Sequence, residues 1–176
     1  MKRMLLTVTT TASLFAATAA QARLGWTLEQ CKAQYGYPAE DEQLQTHRVH
    51  RVTFLKEGIE IQALDGKVYK ILYKRLNSPW TQDEALQLLR KNVDQSWRKA
   101  KDSSSMDSEE WLIGNEDAPS YDARFRQIDG DESRFAYIEI SDWGNIWNEV
   151  AEAISKGWNE KRKEYDKKRQ AEIDGL

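Results

Sequence analysis

The pattern Trp-Thr followed, three residues after the threonine, by an amide or acid side chain occurs twice: Trp26-Thr27 with Gln30, and Trp80-Thr81 with Glu84. In such a pattern the threonine oxygen accepts the backbone N–H three residues on, and the longer side chain reaches back to the backbone N–H of the cap. Each tryptophan precedes its cap, where it can fold over the fourth helical residue, Cys31 in one case and Ala85 in the other, as a hydrophobic staple. Two helix starts are therefore fixed before any other element is considered. Either one capping device is used twice independently, or the chain carries an internal repeat spanning 27–75 and 81–140.

The segments downstream of the two starts constrain the fold class. The first helix runs over 28–35 and stops at Gly36, with Pro38 beyond it as a residue that cannot continue a helix. Over 48–74 apolar side chains alternate: Val52 and Phe54, then Ile59 and Ile61, then Tyr69, Ile71 and Tyr73, with turns at Lys56-Glu57-Gly58 and Asp65-Gly66. This predicts a three-stranded meander. A two-residue turn at Asp65-Gly66 would set Ile61 opposite Lys70 and Ile59 opposite Leu72. A three-residue loop, Leu64-Asp65-Gly66 with Gly66 as a bulge, pairs Ile61 with Tyr69, Ile59 with Ile71 and Glu60 with Lys70, and face consistency selects it.

The second half repeats the order. Leu86, Leu89 and Val93, with an extension toward Trp97, give a second helix its apolar stripe, and the polar run at 101–110 reads as an exposed loop. Strands return in "EWLIG", "YDARFRQI" and "SRFAYIEI", with Asp129-Gly130 at the last turn. A long final helix starts near Asp142. Its stripe of Trp143, Trp147, Val150, Ile154 and Trp158 is predicted to cover the sheet, with a charged helical or frayed tail over 159–176. The expected architecture is α+β: a helix followed by an antiparallel meander, twice over if the repeat holds, closed by a long C-terminal helix in a single domain over 23–158.

The first 22 residues read as an export leader. Lys2 and Arg3 precede an apolar stretch that ends in Ala20-Gln21-Ala22, so cleavage is expected after Ala22, leaving Arg23 as the first residue of a periplasmic or secreted protein. The chain holds 26 Lys and Arg against 29 Asp and Glu, and removing Lys2 and Arg3 makes it more acidic still, which argues against a nucleic-acid partner. Its single cysteine, Cys31, permits no internal disulfide and is expected either buried or in an intermolecular bridge. The core must then rely on packing, for which seven Trp, seven Tyr and four Phe supply large apolar surfaces.

The inventory of reactive side chains assigns no catalytic, cofactor-binding or metal-binding residue. His47 and His50, three apart, fall on opposite faces of a strand, the wrong arrangement for a shared metal. "DGDE" at 129–132 lacks the ligand spacing of a calcium loop and reads as an acidic turn. Cys31 has no histidine companion, and no serine sits in a nucleophile elbow. Paired carboxylates such as Glu109 with Glu110, or Asp129 with Asp131, leave open a carboxylate hydrolase acting on an envelope polymer. The final helix, with tryptophans on one face and basic residues behind it, leaves open a membrane-surface role. Packing on the sheet is the reading preferred, because acids interleaved among those basic residues weaken anionic-lipid attraction.

A capped helix, "WTLEQCKAQYGYP", followed by strands with a glycine-bearing turn resembles the repeat unit of the beta-lactamase-inhibitor-protein-like fold, also found in outer-membrane assembly lipoproteins of the SmpA/OmlA type. The similarity covers 27–75, with an echo over 81–140. The chain departs from the lipoproteins in lacking a lipidated cysteine, and its C-terminal helix lies outside that unit. The resemblance implies a binding module without catalysis. The expected function is that of an exported, non-catalytic protein that binds another protein or an envelope component.

Overall fold

The computed structural model describes residues 23–174 except 45, 47, 56–57, 102–107 and 129–130; the expected leader lies outside them. Helix α1 (Leu28–Tyr35) is followed by β1 (Glu40–Gln43), β2 (Val49–Phe54), β3 (Ile59–Leu64) and β4 (Lys67–Lys74). Next come β5 (Trp80–Thr81), α2 (Gln82–Asn92), β6 (Arg98–Lys99), β7 (Ser108–Gly114), β8 (Pro119–Ile128), β9 (Asp131–Ser141) and α3 (Trp143–Asp174). The fold is α+β, an antiparallel meander sheet with a long C-terminal helix. Every pairing is antiparallel, in the order β1-β2-β3-β4-β9-β8-β7-β6, with β5 also on β9.

Both helices start as the sequence predicts. Gln30 N donates to Thr27 Oγ1 and Thr27 N to Gln30 Oε1, and Thr81 and Glu84 make the same reciprocal pair. Each start is also tied to a strand. Thr27 bridges Lys67 and Val68 N donates to Trp26 O, while Trp80 and Thr81 pair with Phe135 and Arg134.

These ties obey a twofold pattern. In the central β4–β9 pair Leu72 faces Glu139, and matching Lys67–Lys74 in order with residues 134–141 puts Leu72 on Glu139. The match sends the pair Lys70↔Ser141 onto Tyr137↔Lys74, and Ile71↔Ile140 onto Ile138↔Tyr73, all observed. It also sends Tyr69 onto Ala136, the two positions where the ladders to β3 and β8 skip a residue. Two units, each a helix followed by four strands where the sequence predicts a three-stranded meander, thus meet strand to strand about an axis through Leu72 and Glu139.

The hairpin register differs from expectation. Leu64 pairs with Lys67, so the turn has two residues, Asp65 and Gly66, both with positive φ (48° and 78°) as a primed hairpin turn requires. The bulge lies in β4: Ala63 faces Val68 and Gln62 faces Lys70, leaving Tyr69 over, so that Ile61 meets Ile71 and Ile59 meets Tyr73. The extra residue restores the apolar face that the tight turn alone would invert. Tyr69 itself packs in the other cluster, under α3, and its hydroxyl donates to Gln62 Oε1 at 2.9 Å.

One sheet face, beneath α1 and α2, carries the main core. Val52, Ile61, Ile71, Phe125, Phe135 and Ile138 from both units are nearly inaccessible, together with Leu88 and Leu89 of α2 and Cys31 of α1. Burial raises the Cys31 thiol to about 11, so it rests in the core as an inert thiol. Trp97 stands beyond the end of α2, where its indole N–H caps Val93 O at 3.3 Å.

The opposite face is polar except where α3 crosses one end of it, packing on β8 and β2. There the contact line differs from the predicted tryptophan stripe. Val150 and Ala153 are buried among Val49, Leu64 and Tyr69, with Ile146 and Ile154 half-buried beside them and Gly157 buried one turn on. Trp147 is 40% and Trp158 58% exposed, and the side chain of Trp143 is outside the described part. The line 146, 150, 153, 157 has the same helical spacing as the tryptophans, but its small residues let the helix approach the strands, which indole rings would prevent. Beyond Gly157 the chain stays helical to Asp174.

Candidate functional site

A cleft of about 570 Å³ opens on the polar face, floored by strands of both units and walled by the first turns of α3 and the β7–β8 connection. Period-two alternation creates its floor. With Ala123, Phe125, Ile138 and Ile140 turned into the core, the residues between them, Asp122, Arg124, Glu139 and Ser141, must face the other way. Register brings them together: Asp122 faces Ser141, Arg124 faces Glu139, and Lys70 of β4 faces Ser141 from the other side.

The wall depends on a glycine. A Cβ on Gly144 would collide with Pro119 O and lie 2.8 Å from Ser120 Cα, so only glycine lets the first turn of α3 rest against the start of β8. Trp147 and Asn148, one turn later, line the same opening.

Two ion pairs lie across the cleft floor. Lys70 Nζ lies 2.9 Å from Glu139 Oε2, and Arg124 Nη2 3.5 Å from Glu110 Oε1. The Ser141 hydroxyl, nearly inaccessible, donates to Asp122 Oδ1 at 2.5 Å. Burial holds the Asp122 carboxyl above its ordinary pKa, and Glu139 and Glu110 add to this, against the lowering effects of Ser141 and Arg124. At the start of α3, burial also raises Asp142, against hydrogen bonds from Asn145. The floor is thus an array of hydrogen-bond donors and acceptors set by the register of β4, β8 and β9.

Of the residues singled out from the sequence, Glu110 and Trp147 line the cleft and the others described lie elsewhere. His50 is on β2 with Nδ1 3.1 Å from Asp41 Oδ1, near α1, and His47 is outside the described residues. Asp129 and Gly130 are also outside them, and the side chains of Asp131 and Glu132 are not described. No cluster of three or more metal-ligating side chains occurs among the described residues. Glu109 and Glu110 form a pair only in sequence: Glu109 turns toward Lys99 (2.8 Å) and the Trp111 indole N–H, whereas Glu110 lines the cleft. Sequence reasoning missed the cleft residues because outward polar positions on a strand read as solvated surface until register shows which of them converge.

No protein-family model and no curated protein matches this sequence. Among the solved structures similar to it are two secreted proteins. One is an extracellular protein containing an SCP domain from Bacillus anthracis str. Ames, with TM-score 0.40 and 10% identity, covering 84% of this chain and 51% of that one. The other is a cysteine-rich secretory protein from Staphylococcus aureus subsp. aureus Mu50, with TM-score 0.40 and 5% identity, covering 70% of this chain and 46% of that one. The chain spans about half the length of each. Among the described residues no helix is long and apolar enough to cross a membrane.

Proposed function

We propose that this is an exported, non-catalytic binding protein of the periplasm or cell exterior whose cleft takes a peptide segment of another envelope component. The carrying observation is the placement of paired cations and carboxylates on one face, Lys70 with Glu139 and Arg124 with Glu110, beside the partly exposed ring of Trp147. Such a surface offers partners for both the cationic and the anionic groups of a peptide, and a flat ring for its apolar portion. The leader-like first 22 residues support export, and the order of a capped helix followed by an antiparallel meander in each half supports the resemblance to beta-lactamase-inhibitor-protein-like binding modules.

A second reading, a carboxylate hydrolase acting on an envelope polymer, draws on the raised Asp122 carboxyl in the same cleft. One experiment separates the two. Amide chemical shifts of the protein are followed while short peptides bearing both charges, and fragments of cell-wall polymer, are titrated in. Binding predicts shifts at Asp122, Arg124 and Glu139 that disappear in Lys70→Ala/Arg124→Ala, with the peptide recovered intact. Cleavage of a polymer fragment that Asp122→Asn abolishes would establish the hydrolase instead, and shifts confined to other surfaces would refute both.

A further inference from the structure

The outer half of α3 is a helix without a protein surface to cover. From Trp158 through Asp174 every residue is exposed, a projection of about 25 Å at 1.5 Å per residue. A helix that meets no core is expected to be polar all round. This one is sided. At 3.6 residues per turn, Trp158, Arg162, Tyr165, Arg169 and Ile173 recur at steps of four, three, four and four and form one face. The opposite face carries Glu160, Glu164, Lys167, Ala171 and Asp174, and Lys161 and Lys168 flank the first. Asp166 and Glu172 sit at its margins.

The same stretch of helix is basic. Six cations and two carboxylates lie between Lys161 and Arg169, in a chain whose overall balance is −3. The ion pair between Lys168 Nζ and Glu164 Oε1, 2.9 Å long and one helical turn apart, lies on the flank of that face. Arg162 and Arg169 have no carboxylate partner among the described residues, and Trp158, Tyr165 and Ile173 are 58%, 65% and 55% exposed.

We infer that this face docks on an anionic phospholipid surface. Tryptophan and tyrosine favour the bilayer interface, where the ring is buried and its polar edge stays wet. Arginine alternating with them is placed to grip lipid phosphates with its planar fork while its stem lies along the apolar layer. Of the two acids within the basic run, Glu164 lies opposite the stripe and faces water when the stripe faces lipid, and Asp166 alone stands at its margin. The apolar area is small, so attachment is reversible and depends on charge. This inference stands apart from the cleft, which lies at the other end of α3.

The test is co-sedimentation of the full chain with vesicles of phosphatidylcholine alone and of phosphatidylcholine mixed with phosphatidylglycerol, at low and high salt. Partitioning should rise with phosphatidylglycerol and fall with salt. Arg162→Gln/Arg169→Gln should lower it about 25-fold, at about fivefold for each cation removed from the surface. Trp158→Ser should weaken binding to the mixed vesicles without moving the melting transition, because the ring is exposed. Lys70→Ala/Arg124→Ala in the cleft should bind vesicles like the unaltered chain. Equal partitioning to both vesicle types, no partitioning, or an unchanged arginine variant overturns the inference. So does a dimer in sedimentation equilibrium that the arginine variant dissolves, which would show that the stripe meets a second copy of the chain.

Discussion

The energetics of the cleft reduce to one carboxyl. Asp122 is partly buried beside Glu139 and Glu110, and its pKa is raised because desolvation outweighs the Ser141 hydrogen bond and the Arg124 charge. Between its ordinary value, about 4, and its folded value, the folded chain holds more protons at this site than the unfolded chain. Stability therefore falls as pH rises through that window, and the cost is complete above the folded value. Asp122→Asn keeps an acceptor for the Ser141 hydroxyl and removes the charge. Its melting temperature should exceed that of the unaltered protein at pH 7, and the difference should vanish below about pH 4. Ser141→Ala should cost about 1–3 kcal/mol at pH 7, since it leaves the carboxylate without its donor. A Tm for Asp122→Asn at or below that of the parent at pH 7 would show the carboxylate to be stabilised as an anion. At this scale the sequence conveyed less than elsewhere: the inward residues of β8 and β9 were legible from alternation, but convergence of their outward neighbours depends on long-range pairing.

Elements were legible wherever a local signal fixes them. The capping boxes at Thr27 and Thr81 form as read, because every group involved lies within four residues. The β3–β4 hairpin needed a bulge, as its alternation required, but the chain put it at Tyr69 and kept the turn tight. Two arrangements satisfy the same face rule, and the ring of Tyr69, which α3 receives on the far side, separates them. For α3 the periodicity was right and the phase was one line off, since aromatic size marks a face for covering but not the face that fits closely. Gly144 tests that account. Alanine is the better helix former by about 1 kcal/mol, yet its Cβ would press into the backbone at Pro119 and Ser120. Gly144→Ala should therefore lose about 1–3 kcal/mol in urea unfolding, as an overpacked contact does. A gain in stability would mean that the first turn of α3 lifts freely and the cleft has no fixed wall.

At the scale of the molecule, the two helix-and-meander units are bound by one sheet and one core. Their seam is an unbroken antiparallel ladder centred on Leu72 and Glu139, and the main cluster mixes Ile61 and Ile71 of the first unit with Leu88, Phe125 and Ile138 of the second. Separated, each unit would expose a long central strand edge and half of an apolar face. Despite the internal twofold, the chain should therefore unfold in a single transition. Ile61→Ala and Leu88→Ala, one in each unit and both nearly inaccessible, should each lower that transition by about 2–5 kcal/mol. Far-ultraviolet circular dichroism and tryptophan fluorescence should shift together in both variants. If Leu88→Ala separated the curves into two steps while Ile61 and its neighbours stayed folded, the units would be independent. The β4–β9 ladder would then be a contact between two domains, and a cleft floored by both units would lose its rigid base.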